Sequence, residues 1–84
     1  MDRVALDSTL LASAGHDSRR LLLDVEFRTG ERYRFFNVSS ACYQELLGAD
    51  SKGRYFNSNI RNRFPYQHLS RPASPVVLPL AKTK

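Results

Sequence analysis

The chain has 84 residues, of which 42% are hydrophobic and 11% aromatic, which is enough for one compact domain and too apolar for a wholly disordered chain. Its formal net charge of +5 is unevenly placed, because residues 1–50 carry all eight acidic groups against six arginines, a balance of −2, whereas residues 51–84 carry seven basic and no acidic groups. That polarity favours a polyanionic partner more than a high overall charge would.

The first predicted strand runs from Thr9 to His16, where Leu10, Ala12 and Ala14 alternate with Leu11, Ser13 and Gly15 before a turn at Asp17-Ser18. A second runs from Arg20 to Arg28, with Leu21, Leu23, Val25 and Phe27 on one side and Leu22, Asp24, Glu26 and Arg28 on the other. A third runs from Glu31 to Val38. A two-residue loop at Thr29-Gly30 would set Phe27 against Arg32 and Val25 against Arg34, mixing charge into the buried face. A three-residue loop with Gly30 in the left-handed conformation pairs Val25 with Tyr33 and Leu23 with Phe35 and keeps that face apolar, so it is the expected hairpin. Tyr33 and Phe35 are then read as core, with Arg32 and Arg34 pointing the other way.

Ser39 or Ser40 can cap a helix that runs to about Leu47 before Gly48, with Cys42, Leu46, Tyr43 and Leu47 toward the sheet. Asp50 or Ser51 can cap a second, from near Lys52 to about Asn62, with Phe56 and Ile60 inward and Arg54, Ser58 and Arg61 outward. Pro65 stops this helix, and Tyr66 to Leu69 is expected to lie across the domain as an ordered extension. The expected fold is therefore α+β, a small three-stranded antiparallel sheet followed by two short helices (β-β-β-α-α). The expected organisation is a flexible N-terminus over 1–8, a domain over 9–69 and a flexible tail over 70–84, where Pro72, Pro75 and Pro79 fall.

Several chemistries are disfavoured. Cys42 is the one cysteine, so an intrachain disulfide is impossible, and His16 and His68 lack neighbours at ligand spacing, so no metal or cofactor is expected. Cys42 on a buried helix face reads as a small hydrophobe, and Asp24 and Glu26 on one strand face as solubilising carboxylates, so no catalytic residues and no enzyme are expected. Charges at Asp2, Arg3 and Asp7 interrupt any signal-peptide core, and apolar runs such as Leu21 to Leu23 fall far short of the roughly 20 residues of a membrane span. A soluble, cytoplasmic monomer is the expectation.

The candidate site is the stretch from Ser51 to Arg63 with the adjoining Tyr66. Lys52, Arg54, Arg61 and Arg63 suit phosphate contacts, Tyr55 and Tyr66 suit stacking on bases, and Asn57 suits a base edge. A phosphate on the backbone amides near Gly53 would fit the same use, although Ser51-Lys52-Gly53-Arg54 lacks the order of a nucleotide-binding P-loop. The expected partner is RNA, either tRNA or a single strand. The alternative is a protein–protein interaction module that uses the sheet edge or the tail, including the spacing of Pro72 and Pro75 and the apolar Val76, Val77, Leu78 and Leu80.

The strand Asp24-Val25-Glu26-Phe27-Arg28, then Gly30, then Tyr33-Arg34-Phe35-Phe36, resembles the KTSC domain, a family also seen at the C-terminus of some lysyl-tRNA synthetases. Tyr43, Leu46-Leu47, Ser51-Lys52-Gly53-Arg54-Tyr55-Phe56-Asn57, Ile60-Arg61 and Tyr66 look like that family's later block, so the resemblance spans about Thr9 to Leu69. The family's central motif is usually two tyrosines flanking one residue; here it reads Tyr33-Arg34-Phe35, one hydroxyl fewer. The resemblance implies a short β-β-β-α-α unit of unassigned function, with RNA binding suggested by its association with a tRNA synthetase.

Overall fold

Leu23, Val25 and Phe35 lose nearly all contact with water, and the way the chain buries them sets the architecture of the computed structural model, which describes residues 2–70. Five antiparallel strands form one sheet in chain order: β1 (Arg3–Ala5), β2 (Leu11–Asp17), β3 (Leu22–Phe27), β4 (Arg32–Phe36) and β5 (Tyr66–Ser70). Helices α1 (Ser40–Gly48) and α2 (Lys52–Asn59) lie between β4 and β5 in the chain. Leu11, Ala14, Leu23, Val25 and Phe35 from the sheet meet Val38, Tyr43, Leu46, Phe56 and Ile60 in one core, so both helices cover one face of the sheet.

The β3–β4 hairpin has the expected register. Leu23 faces Phe35 and Val25 faces Tyr33, while Arg28, Thr29 and Gly30 form a three-residue loop with Gly30 at φ 96°. The loop is closed by the Phe27 amide on the Glu31 carbonyl and the Gly30 amide on the Phe27 carbonyl.

The α+β class and the two helices hold, but the expected three-stranded sheet is corrected to five strands. β1 falls inside the stretch read as a flexible N-terminus: Arg3, Val4 and Ala5 pair with Gly15, Ala14 and Ser13, yet all three side chains are exposed, so no hydrophobic alternation marks them. Leu6, just after β1, is buried. β5 is the segment read as an extension; Tyr66 pairs with Phe35 and His68 with Tyr33, and the exposed side chains of Tyr66 to Leu69 fit a strand at the sheet's edge. Ser70, the first residue of the expected tail, ends β5, and residues 71–84 of that tail lie outside the described residues.

Smaller departures have local causes. In β2 the register shifts between Leu11 and Ser13, so that Leu11 and Ala14, three apart, are both fully buried, which simple alternation would not place on one face. Leu21, expected inward, lies at a turn with φ 57° and is exposed. Of the candidate caps, Ser39 and Ser51 are the ones used, their hydroxyls accepting from the amides of Cys42 and Arg54. The second helix stops at Asn59 rather than near Asn62: the Ile60 amide makes the last regular bond, to the Phe56 carbonyl, and the Arg61 amide bonds that same carbonyl in place of the next one along, so the chain leaves the helix there.

Candidate nucleic-acid interface

Helix α2 buries Phe56, and Ile60 just beyond it, leaving the opposite side to polar groups. Arg54 and Ser58, four residues apart on the helix, are exposed together, and Arg61 is exposed in the turn that follows. Arg61 Nη1 donates to Asn57 Oδ1 at 3.1 Å, and Lys52 Nζ donates to the Ala49 carbonyl at 3.1 Å, at the end of α1. Among the described residues the ion pairs are Arg20 with Asp17 and Arg34 with Asp24, so no cation of α2 or the following turn is matched by a carboxylate.

The sequence-predicted residues fall into separate places. Lys52, Arg54 and Asn57 border a broad groove between the start of α2 and the β1–β2 connection, together with Asp7 and Asp50. Those two carboxylates weaken the groove as an anion site. Gly53 is there for packing: a Cβ at this position would lie 3.2 Å from Leu10 Cβ, so its absence lets α2 start close against the β1–β2 connection. Arg63 is exposed in the turn after α2. Tyr55 is turned onto α1, where its hydroxyl donates to Glu45 Oε1 at 2.7 Å and lies 3.8 Å from Cys42 Sγ. Burial, reinforced by the hydrogen bonds to Glu45 and Cys42, pushes this phenol well above its ordinary value. Its ring is half-buried and its polar end is spoken for.

Arg61 and Tyr66, in contrast, come together. They share a small cleft with Phe27, Tyr33, Phe35, Phe56 and Asn62, of about 120 Å³. The walls are aromatic edges and faces: Phe56 meets Phe27 and Phe35 nearly perpendicularly, with centroids 5.5 and 5.4 Å apart. The pairing of β4 with β5 puts Tyr66 and His68 on the helix-covered side; Tyr66 packs 5.6 Å from both Tyr33 and Phe35, and His68 stacks on Tyr33 at 4.7 Å. The Arg61 guanidinium stands 5.8 Å from the centre of the Phe27 ring. Both aromatics of Tyr33-Arg34-Phe35 therefore line this cleft. Asn62 falls within the candidate stretch Ser51 to Arg63, whereas Phe27 and the supporting His68 lie outside it; the signal available for His68 was a pair of rings two residues apart, Tyr66 and His68, directly after a proline that can open an edge strand.

Elsewhere, polar groups have structural employment. His16 Nε2 donates to the Val38 carbonyl at 2.7 Å while its ring stacks 5.1 Å from Tyr43. Among the described residues no three His, Cys, Asp or Glu side chains gather as metal ligands, and no helix is long and apolar enough to cross a membrane.

The likenesses to known proteins concern the fold as a whole. An uncharacterized protein of Stutzerimonas stutzeri is 49% identical over 57 residues, 68% of this chain and 80% of its own. A lysine–tRNA ligase of Trichormus variabilis is 38% identical over 55 residues, which is 66% of this chain but 10% of the ligase. The crystal structure of a KTSC domain protein from Yersinia pestis superposes with a TM-score of 0.79 at 28% identity, covering 82% of this chain and 97% of that one. The family model of the KTSC domain matches residues 7–64, and the chain belongs to the KTSC domain family.

Proposed function

We propose that this chain is a small RNA-binding module with no catalytic role, gripping phosphates with the arginines of α2 and the turn after it. The carrying observation is that residues 51–69 hold Lys52, Arg54, Arg61 and Arg63 and no carboxylate, with the three arginines exposed. Exposed, unmatched guanidiniums are the usual sequence-independent contact to a nucleic-acid backbone. The presence of a related stretch in lysine–tRNA ligases, proteins named for their action on tRNA, supports RNA as the polyanion.

The test is an NMR titration of labelled protein with a tRNA and with a short mixed-sequence single strand, at two salt concentrations. Salt-sensitive amide shifts over Lys52 to Arg63 and at Tyr66 are expected. Three phosphate contacts on a single strand give a log–log salt slope of roughly −2. An Arg54→Glu/Arg63→Glu double variant should bind at least about tenfold more weakly with the fold intact, since neither side chain makes a hydrogen bond within the described residues. No shifts with either RNA at low salt would overturn the reading.

A second reading is favoured by β5, an edge strand that exposes Tyr66 and Leu69: a protein partner could add a strand there. It predicts binding that is nearly insensitive to salt and unaffected by the double variant.

A further inference from the structure

We infer that the aromatic cleft at the end of α2 is a slot for one unstacked RNA base, whose phosphate lies on Arg61. The inference rests on the RNA-binding reading above and adds to it a specific mode of contact.

Three features of the cleft fit this guest. Its volume of about 120 Å³ is well below the ~300–1,000 Å³ of pockets for drug-sized ligands, and suits a single planar ring system. Its deep wall, Phe35 and Phe56, is fully packed, yet Tyr66 at the mouth remains 58% exposed, holding one side against Phe35 and Tyr33 and leaving the rest open. An aromatic ring held on one side and open on the other can serve as a stacking surface. The rim supplies Asn62, whose amide can donate to and accept from a base edge, and Arg61 for the phosphate.

Other guests use less of the site. A cationic guest would meet the Arg61 guanidinium already placed over Phe27, and no carboxylate lines the cleft to receive it. A bare phosphate would leave the rings idle. A paired base enters only at the cost of unstacking and unpairing, so the slot favours unpaired nucleotides.

The experiment compares a short mixed-sequence single strand with the same strand built of abasic nucleotides, by fluorescence anisotropy at low salt. Both are titrated with the full chain, with Tyr66→Ala and with Tyr66→Phe, each checked for folding by circular dichroism. The base-bearing strand should bind the unaltered chain about tenfold more tightly than the abasic one. Tyr66→Ala should bring the base-bearing strand down to the abasic level and leave the abasic affinity unchanged, while Tyr66→Phe keeps full affinity. If Tyr66→Ala fails to fold, Asn62→Ala, altered at an exposed position, should show the same selective loss to a smaller degree. Equal binding of the two strands, or an equal loss for both on altering Tyr66, overturns the slot while leaving electrostatic RNA binding standing. Failure of both strands to bind overturns both proposals.

Discussion

Arg34 holds Asp24 through two parallel hydrogen bonds across neighbouring strands, Nε to Oδ1 at 2.8 Å and Nη2 to Oδ2 at 3.0 Å. They lie on the sheet face opposite the helices, where Asp24 is nevertheless 7% exposed. A carboxylate that dry is tolerated because the guanidinium fork matches it, and the same hydrogen bonds, with the attraction of the charges, raise the Arg34 pKa.

Removing the fork should therefore cost more than a surface ion pair would. Arg34→Met is expected to destabilise the domain by about 1–3 kcal/mol, below the ~3–5 kcal/mol of a fully buried pair because the arginine side chain is 35% exposed and water screens it. Urea denaturation followed by circular dichroism measures this. A midpoint unchanged from the parent chain would mean that Asp24 is solvated in solution.

Phe56 joins the core to the candidate site, since the ring that fills the space under α2 is also the one that Phe27 and Phe35 meet edge-on. It is fully buried, so Phe56→Ala should lose about 3–5 kcal/mol, a large part of what a domain this small possesses. Phe56→Leu keeps most of the volume and should cost less than half as much. Thermal denaturation of the two variants should rank them in that order, and equal losses would argue that the ring's shape, rather than its volume, is what the core requires.

Periodicity in the chain reveals what is half-buried and little else. The alternation of Leu23 and Val25, matched to Tyr33 and Phe35, was enough to choose the hairpin loop, because a one-residue slip would have buried arginines. The same logic is blind to β1 and β5, because Arg3 to Ala5 and Tyr66 to Leu69 all keep much of their surface in water and the segments are strands through the hydrogen bonds that β2 and β4 offer them. The site suffered similarly. Charge alone selected Lys52, Arg54, Arg61 and Arg63, but residue type offered Tyr55 for stacking without showing that Glu45 of α1 waits there to receive its hydroxyl. The pairing of β5 with β4, a relation between residues about thirty apart, is what brings Tyr66 to Arg61, and no local pattern encodes it.

The caps give a test of local structure that leaves the candidate interface in place. Ser39 and Ser51 each accept from the amide three residues on, at 3.1 and 3.3 Å, satisfying one of the donors left free at a helix start. Ser39→Ala and Ser51→Ala should each cost about 1 kcal/mol in urea denaturation. Because the hydroxyls serve separate helices, the double variant should lose roughly the sum. A markedly smaller loss at Ser51 would indicate that water replaces the longer bond.

The two ends of the pH scale should act through different residues. Asp17 accepts from the amides of Arg20 and Arg19 at its turn, and the Arg20 amide foremost lowers its pKa. Its contribution is present above its unfolded value of about 4 and is lost as pH falls through the lower folded value, so Asp17→Asn should flatten the acid limb of a stability profile. Tyr55 works with the opposite sign. Its phenol is raised by burial and by the bond to Glu45, so its contribution is fully present below the unfolded value of about 10 and fades as pH rises toward the higher folded value. Tyr55→Phe should therefore be less stable than the parent at neutral pH and converge with it in strong alkali. An absorbance titration of the four tyrosines should also lose its latest-titrating component in that variant. If all four instead titrate together near the ordinary value, the Tyr55 hydroxyl is open to water and available for contacts away from α1.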